Sequence, residues 1–256
     1  MSLHIEVVGE GPDVVLLHGW AMHGGVFAPL VDRLRDRCRL HVVDLPGHGS
    51  SRTSSIALTL ADSANAIARV APKDAVWCGW SLGGLIALHA ASHRLPMRGL
   101  AMLCASPCFV RKEDWRWGMS PEIFRDFAQG LRDDWRGTLD RFLALEAFGS
   151  DHAKEELRSL RDAVLSRGEP AASVLADGLE LLETTDLRDA LPRLAVPSAW
   201  IAGRRDRLVD PRAMEEAASL TPDASFSIID HAGHAPFLTH ADAVIEALQP
   251  LLGTQE

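Results

Sequence analysis

Val76-Trp77-Cys78-Gly79-Trp80-Ser81-Leu82-Gly83-Gly84-Leu85 is the stretch from which the rest of this 256-residue chain is read. Its first residues are apolar, and an Ala- and Leu-rich helical pattern begins after Ser81, so it predicts a buried strand that turns at once into a helix. Gly79-Trp80-Ser81-Leu82-Gly83 at that junction has the G-x-S-x-G form of a nucleophile elbow. Glycine at 79 and 83 lets the chain bend sharply enough to hold Ser81 in a strained conformation with its hydroxyl facing outward. The amides at the helix start are unpaired and sit at the positive end of its dipole, where an oxyanion can be held. A competing reading makes the glycines a device for close packing and Ser81 an N-cap. Five residues with three fixed do occur by chance, and it is the strand, turn and helix context that favours the elbow.

Working outward, Ile5 to Val8 reads as a short strand. Val14-Val15-Leu16-Leu17 is a continuous apolar run, the mark of a strand buried on both faces, and it ends at His18-Gly19-Trp20. Helical spacing follows through Val26, Leu30, Val31 and Leu34, then Leu40 to Asp44 gives another strand and Leu45 to Ser51 a loop. Leu60, Ala64, Ile67 and Ala68 mark a helix, and Leu100 to Cys104 a further strand. This alternation predicts an α/β protein with a mostly parallel, doubly wound sheet. From about 109 to 185 nothing reads as a buried strand, while helical spacing recurs in Ile123, Phe124 and Phe127, in Leu139, Phe142, Leu143 and Leu145, and in Leu157, Leu160 and Val164. Residues 109–185 are therefore expected to form a helical cap between two parts of one core, 1–108 and 186–256. Alternation resumes with Ser198 to Ala202, a helix from Pro211, a strand at Phe226 to Ile229 and a last helix through Ala243, Leu248 and Leu251.

Composition narrows the function. A net charge of -9 argues against general nucleic-acid or membrane-surface binding. The N-terminal Met1-Ser2-Leu3-His4-Ile5-Glu6 has neither a basic region nor an apolar core, no apolar run is long enough to span a bilayer, and a cytoplasmic monomer is expected. Cys38, Cys78, Cys104 and Cys108 form no C-x-x-C pair, which favours free, buried thiols over disulfides or a metal site.

A serine hydroxyl is a poor nucleophile at neutral pH, so Ser81 requires a histidine to take its proton and a carboxylate to orient that histidine. Both belong on loops after later strands of the sheet. The loop after Trp200-Ile201-Ala202 offers Asp206 and Asp210; Asp210 precedes Pro211 and has the position of an N-cap, which leaves Asp206 as the acid. A surface pairing of Asp206 with Arg204 or Arg207 is the competing role. The loop after Ile228-Ile229 offers His231 and His234, and His234, next to Gly233 and further from the strand, is preferred. The order Ser81, Asp206, His234 is that of α/β-hydrolases. An oxyanion hole then takes the amide of Leu82 and a second from the loop after the early strand, at Trp20. His18 and His48 read as structural loop residues, and no metal or organic cofactor is required.

The motifs His18-Gly19-Trp20, Asp44-Leu45-Pro46-Gly47-His48-Gly49, Gly79 to Gly84, Asp206 and His234-Ala235-Pro236-Phe237 resemble α/β-hydrolases. More narrowly, Gly-Trp-Ser-Leu-Gly-Gly, Ala105-Ser106-Pro107-Cys108-Phe109, Arg141-Phe142-Leu143-Ala144-Leu145 and Asp186-Leu187-Arg188 resemble the BioH family of biotin-pathway carboxylesterases, over nearly the whole chain. The resemblance implies hydrolysis of the methyl ester of pimeloyl carried on acyl-carrier protein, which ends chain elongation and frees a carboxylate for biotin synthesis. It implies a substrate channel formed by Trp20, Ser81, Leu82, His234 and the run Phe142, Leu143, Ala144, Leu145 and Glu146, where the family pattern carries an amide in place of Glu146. Phe142, Leu143 and Leu145 read equally well as cap core.

An acidic carrier protein calls for a cationic docking stripe. Lys154, Arg158 and Arg161 fall at i, i+4 and i+7 on one helix face, with Arg141 on the preceding segment, while Glu156 weakens the pattern and a plain solvated face is the alternative. Three rival functions use the same scaffold: a generalist short-chain carboxylesterase, a C–C bond hydrolase, and a binding protein without catalysis.

Overall fold

The computed structural model describes residues 3–253; Met1 and Ser2, part of the stretch read for an export signal, lie outside the described residues. The chain opens with strands β1 (Ile5–Val8) and β2 (Asp13–Leu17), then helix α1 (Ala28–Leu34), β3 (Arg39–Val43), α2 (Leu60–Ala68), β4 (Val76–Trp80), α3 (Leu82–Ser92) and β5 (Gly99–Leu103). Four helices follow in succession: α4 (Pro121–Asp133), α5 (Trp135–Ala147), α6 (Ala153–Ser166) and α7 (Ala172–Thr184). The last part runs β6 (Ser198–Gly203), α8 (Pro211–Ser219), β7 (Ala224–Ile229), a short α9 (Pro236–Thr239) and α10 (Ala241–Leu252).

The strands form one seven-stranded sheet in the order β1-β3-β2-β4-β5-β6-β7. β1 is antiparallel to β3, with Ile5 opposite Val43, and every other pairing is parallel. Parallel strands are covered by helices on both faces, which is why β4, β5 and β6 are buried along their whole lengths and read as unbroken apolar runs. β7, at the sheet edge, is only half-buried over most of its length. Among the described residues no helix is long and apolar enough to cross a membrane.

Two local features differ from the sequence reading. The helix expected from Val26 starts as a 3-10 turn at Gly24–Phe27, because the His23 ring nitrogen accepts the Gly25 amide and caps a tighter turn, and α1 begins only at Ala28. α7 was not marked by the three groups of helical spacing, although Leu175, Leu179 and Leu182 fall at i, i+4 and i+7 on its buried face.

The helices α5 to α7 are fastened to loops at the C-terminal ends of the strands. Trp20, after β2, donates its indole N–H to Leu175 O of α7 at 2.8 Å. His23 Nε2 donates to Ala163 O of α6 at 2.6 Å, and Arg167, at the end of α6, reaches the buried Asp44 at 3.2 Å and Glu6 at 3.2 Å. Glu156, the residue expected to weaken the cationic stripe, is instead fully buried, accepting from Ser150 Oγ at 2.7 Å and Thr239 Oγ1 at 2.6 Å.

A tight junction lies between β2 and α3. A Cβ on Gly83 would stand 2.2 Å from Leu17 O and 2.7 Å from His18 O, closer than any side chain tolerates. Gly83→Ala must therefore push the first turn of α3 away from β2. We expect it to lower the unfolding free energy by about 2–4 kcal/mol, read from urea unfolding, together with loss of activity.

Candidate active site

At the β4–α3 junction Ser81 adopts φ 53°, ψ -117°, the left-handed side of the backbone map, which a residue with a Cβ enters at a cost of about 1–3 kcal/mol. Packing on both sides holds it there. Ser81 N donates to Leu103 O of β5 at 3.1 Å, and Gly84 and Leu85 amides return to Ser81 O at 2.9 and 3.2 Å. The side chain is 2% exposed, and its hydroxyl makes no hydrogen bond to another described residue, His234 included.

Asp206 and His234 arrive from the ends of β6 and β7. His234 Nδ1 lies 2.8 Å from Asp206 Oδ2, both side chains with no exposed surface. The other Asp206 oxygen accepts the amides of Leu208 at 2.8 Å and Val209 at 3.0 Å, which fixes the carboxylate. Asp206 makes no pairing with Arg204, which turns to Asp230, and Asp210 caps α8 by accepting the Arg212 amide at 2.9 Å. The His234 loop is tied to the elbow itself: Trp80 Nε1, one residue before Ser81, donates to His234 O at 2.8 Å, and the two rings lie 5.6 Å apart. With Nδ1–H donating to Asp206, the lone pair falls on Nε2, which is buried and has no hydrogen-bond partner. His231 is turned outward to Asp151 at 2.9 Å.

Leu82 is the first residue of α3, and its amide and that of Trp20 are not donated to any described protein group. Gly19, just before Trp20, lies against the elbow, since a Cβ there would meet Ser81 Cβ at 3.3 Å. The segment bearing Trp20 therefore adjoins the elbow that bears Ser81 and Leu82. His18 is no base: burial pushes its imidazole down, its Nε2 accepts the Leu45 amide at 2.9 Å, and its Nδ1 donates to Gly19 O. His48 is lowered to about 4 by the same burial.

Ser81 opens onto a small apolar cavity of about 20 Å³, about the room one water needs and far below the size of an open small-molecule site. Phe142 borders it, and its ring also meets Trp20 at 4.6 Å and Phe127 at 5.7 Å. The rest of the run expected to line the channel divides around the helix. Leu143 is buried but faces a groove between α5 and α6, Ala144 is exposed, Leu145 is half-buried, and Glu146 is fully buried with Asp206 as its charged neighbour. The remaining cavity wall comes from Phe109, Met119, Phe124, Phe127, Leu179, Leu182 and Leu208. Phe124 and Phe127 showed helical spacing, but nothing in a linear pattern says which helix face meets a serine forty residues earlier.

Among the described residues one trio has metal-type donors within 4.8 Å of one another, namely Cys104, Asp206 and His234. Asp206 and His234 already satisfy each other, and burial, then Asp206, pushes the Cys104 thiol well up, away from the thiolate that a metal requires. All four cysteines are free and buried.

On the surface of α5 and α6, Arg141, Lys154, Arg158 and Arg161 are all exposed. Arg161 is held two-pronged by Asp140 at 2.7 Å, and Arg141 donates to Thr138 Oγ1 at 2.8 Å. Lys154 and Arg158 form no ion pair with a described residue.

Comparison with known proteins follows this geometry. Residues 14–247 match the model of the alpha/beta hydrolase family. The chain is 58% identical over 247 residues to the pimeloyl-acyl-carrier-protein methyl ester esterase of Stenotrophomonas maltophilia (strain K279a), covering 96% of this chain and 95% of that one. It is 59% identical over 246 residues to the enzyme of that name from Xanthomonas campestris pv. campestris (strain B100), covering 96% and 97%. An esterase from Exiguobacterium antarcticum has the same fold, with a TM-score of 0.88 over 98% of this chain and 96% of that one at 22% identity.

If Nε2 of His234 is the base, a fluorophosphonate probe will add its mass to the peptide holding Ser81 and to no other. Asp206→Asn keeps the acceptor for the Leu208 and Val209 amides but places an amide N–H opposite Nδ1, so labelling should slow by about 10³- to 10⁴-fold without loss of folding. Equal labelling rates would remove Asp206 from the relay.

Proposed function

The chain belongs to the alpha/beta hydrolase family, and from that premise we propose that it is a serine carboxylesterase hydrolysing the methyl ester of pimeloyl-acyl-carrier protein. The activity is that of relatives 58–59% identical over 96% of the chain. The observation that carries the chemistry is the buried His234–Asp206 hydrogen bond on a loop fastened to Trp80, beside a strained serine with no competing partner.

In this reading Ser81 Oγ attacks the ester carbonyl while His234 Nε2 takes its proton, the Ser81–His234 contact closing as substrate orders the hydroxyl. Asp206 holds the imidazole in the needed tautomer and stabilises it once charged. The amides of Leu82 and Trp20 hold the tetrahedral oxyanion, each contributing about 3 kcal/mol. His234 then gives its proton to the departing methoxide oxygen, which leaves as methanol; the acyl group remains on Ser81, and water repeats the two proton transfers to release the acid. Residues 109–185 act as the cap, with Phe142, Leu179 and Leu182 among the apolar groups that receive the acyl chain. Freeing the carboxylate of a dicarboxylic chain in the cytoplasm suits a step of biotin synthesis.

The carrier protein docks, in this proposal, on the exposed face of Arg141, Lys154, Arg158 and Arg161. The inward turn of Glu156 supports it by leaving Lys154 and Arg158 without a neighbouring carboxylate from that residue.

Methanol release from the carrier-bound methyl ester tests the reading. Ser81→Ala should lower kcat by about 10⁴- to 10⁶-fold and fail to rescue a biotin auxotroph lacking its carboxylesterase, which the unaltered chain should rescue. Arg158→Glu should raise KM about five- to ten-fold for the carrier-bound ester, less so at high salt, and leave the free methyl ester untouched. Equal effects on both substrates would place the carrier elsewhere.

A further inference from the structure

Glu146 is the least explained group beside the triad. It sits on α5 one turn after Phe142, is 0% exposed, and neither carboxylate oxygen has a hydrogen-bond partner. Its own backbone oxygen accepts the His234 amide at 3.3 Å, so this end of α5 rests directly on the catalytic histidine loop. Asp206, on the loop after β6, is the charged group that reaches it. The other titratable groups of this region are His234 after β7, Cys104 after β5 and Glu156 at the start of α6. The nearby cation Arg205 is turned to Gly149 O and Asp151 and does not meet it.

An ionised carboxylate with no donor and no cation, facing another carboxylate in a dry interior, is strongly disfavoured. A neutral acid costs far less. We propose that Glu146 stays uncharged beside this contact, and that its ionisation as pH rises unseats the end of α5 from the His234 loop and switches catalysis off.

Burial, with Asp206 adding to it, raises the acid well above its ordinary 4.5. Between the two ionisations the unfolded chain has lost a proton that the folded chain keeps, so folding stability falls as pH rises from about 4.5 towards the folded-state value. Once Glu146 is charged, the favourable response is to swing its carboxylate to water, which breaks the Glu146 O–His234 N hydrogen bond and frees the imidazole from its alignment. The carbonyl of residue 146 can seat the loop with any side chain; the pH sensitivity belongs to the acid alone.

The test compares wild type with Glu146→Gln and with the apolar Glu146→Met, each kcat/KM profile normalised to its own value near pH 7 after subtracting uncatalysed hydrolysis. Wild type should lose about ten-fold per pH unit beyond the ionisation of Glu146, and both variants should lack that limb. In parallel, the melting temperature of each variant should rise relative to wild type, by a margin that is small near pH 5 and widens by several degrees as pH rises. The same falling limb in both variants, or a melting difference independent of pH, would overturn the proposal. If Glu146→Gln does not fold, Glu146→Met decides alone, and if neither folds, the carboxylic-acid carbonyl band of wild type decides: it should include an acid that titrates above the ordinary carboxylate range, and its absence overturns the idea. The catalytic arm rests on the triad reading, which Ser81→Ala tests separately, whereas the melting arm stands without it.

Discussion

The contact on which the rest of this structure depends is the closure of α3 against the end of β2, where only a hydrogen at Gly83 fits between the helix start and Leu17 O. With the helix pressed that close, the chain leaving β4 has no room for a relaxed turn, and Ser81 is carried to φ 53°. The same closure brings the first amide of α3 beside the loop that bears Trp20. The strained backbone of Ser81 and the close approach of the Trp20 loop are thus two results of one packing constraint, stabilised by the buried sheet on either side.

From that point the sheet acts as a common origin for groups far apart in the chain. Parallel strands deliver their C-terminal loops to one edge, so those after β2, β4, β6 and β7 meet there. Trp80 makes the convergence specific, since its indole holds the His234 loop against the residue next to the nucleophile. Burial then sharpens each polar contact, because a hydrogen bond such as His234–Asp206 is not shared with water. The same dry setting makes Glu146 costly to ionise, and ties the state of a helix outside the sheet to the geometry of the catalytic loop.

The helices α4 to α7 contribute walls rather than reacting groups. Their attachment is polar at the periphery, through His23, Arg167 and Glu156, and aromatic at the centre, where Trp20 and Phe142 meet. Trp20 sits at that junction, its indole fixing α7 through Leu175.

The amino-acid order alone determined the buried strands, the strand-to-helix turn at Ser81, and the expectation of Asp206 and His234, the two groups the fold brings into hydrogen bond, over Asp210 and His231. Each is a local pattern: an apolar run, a pair of glycines, a proline after a capping aspartate. Folding decided which members of Phe142 to Glu146 face the cavity, because that depends on the rotation of α5 against its neighbours, and it separated Phe142 from Leu143 and from the exposed Ala144. It also gave Met119, Leu179, Leu182 and Leu208 a shared wall, and turned Glu156 inward from a stripe of cations. Whether a carboxyl finds a donor is a count taken over every element around it, so the isolation of Glu146 exists only once helix and loop have come together.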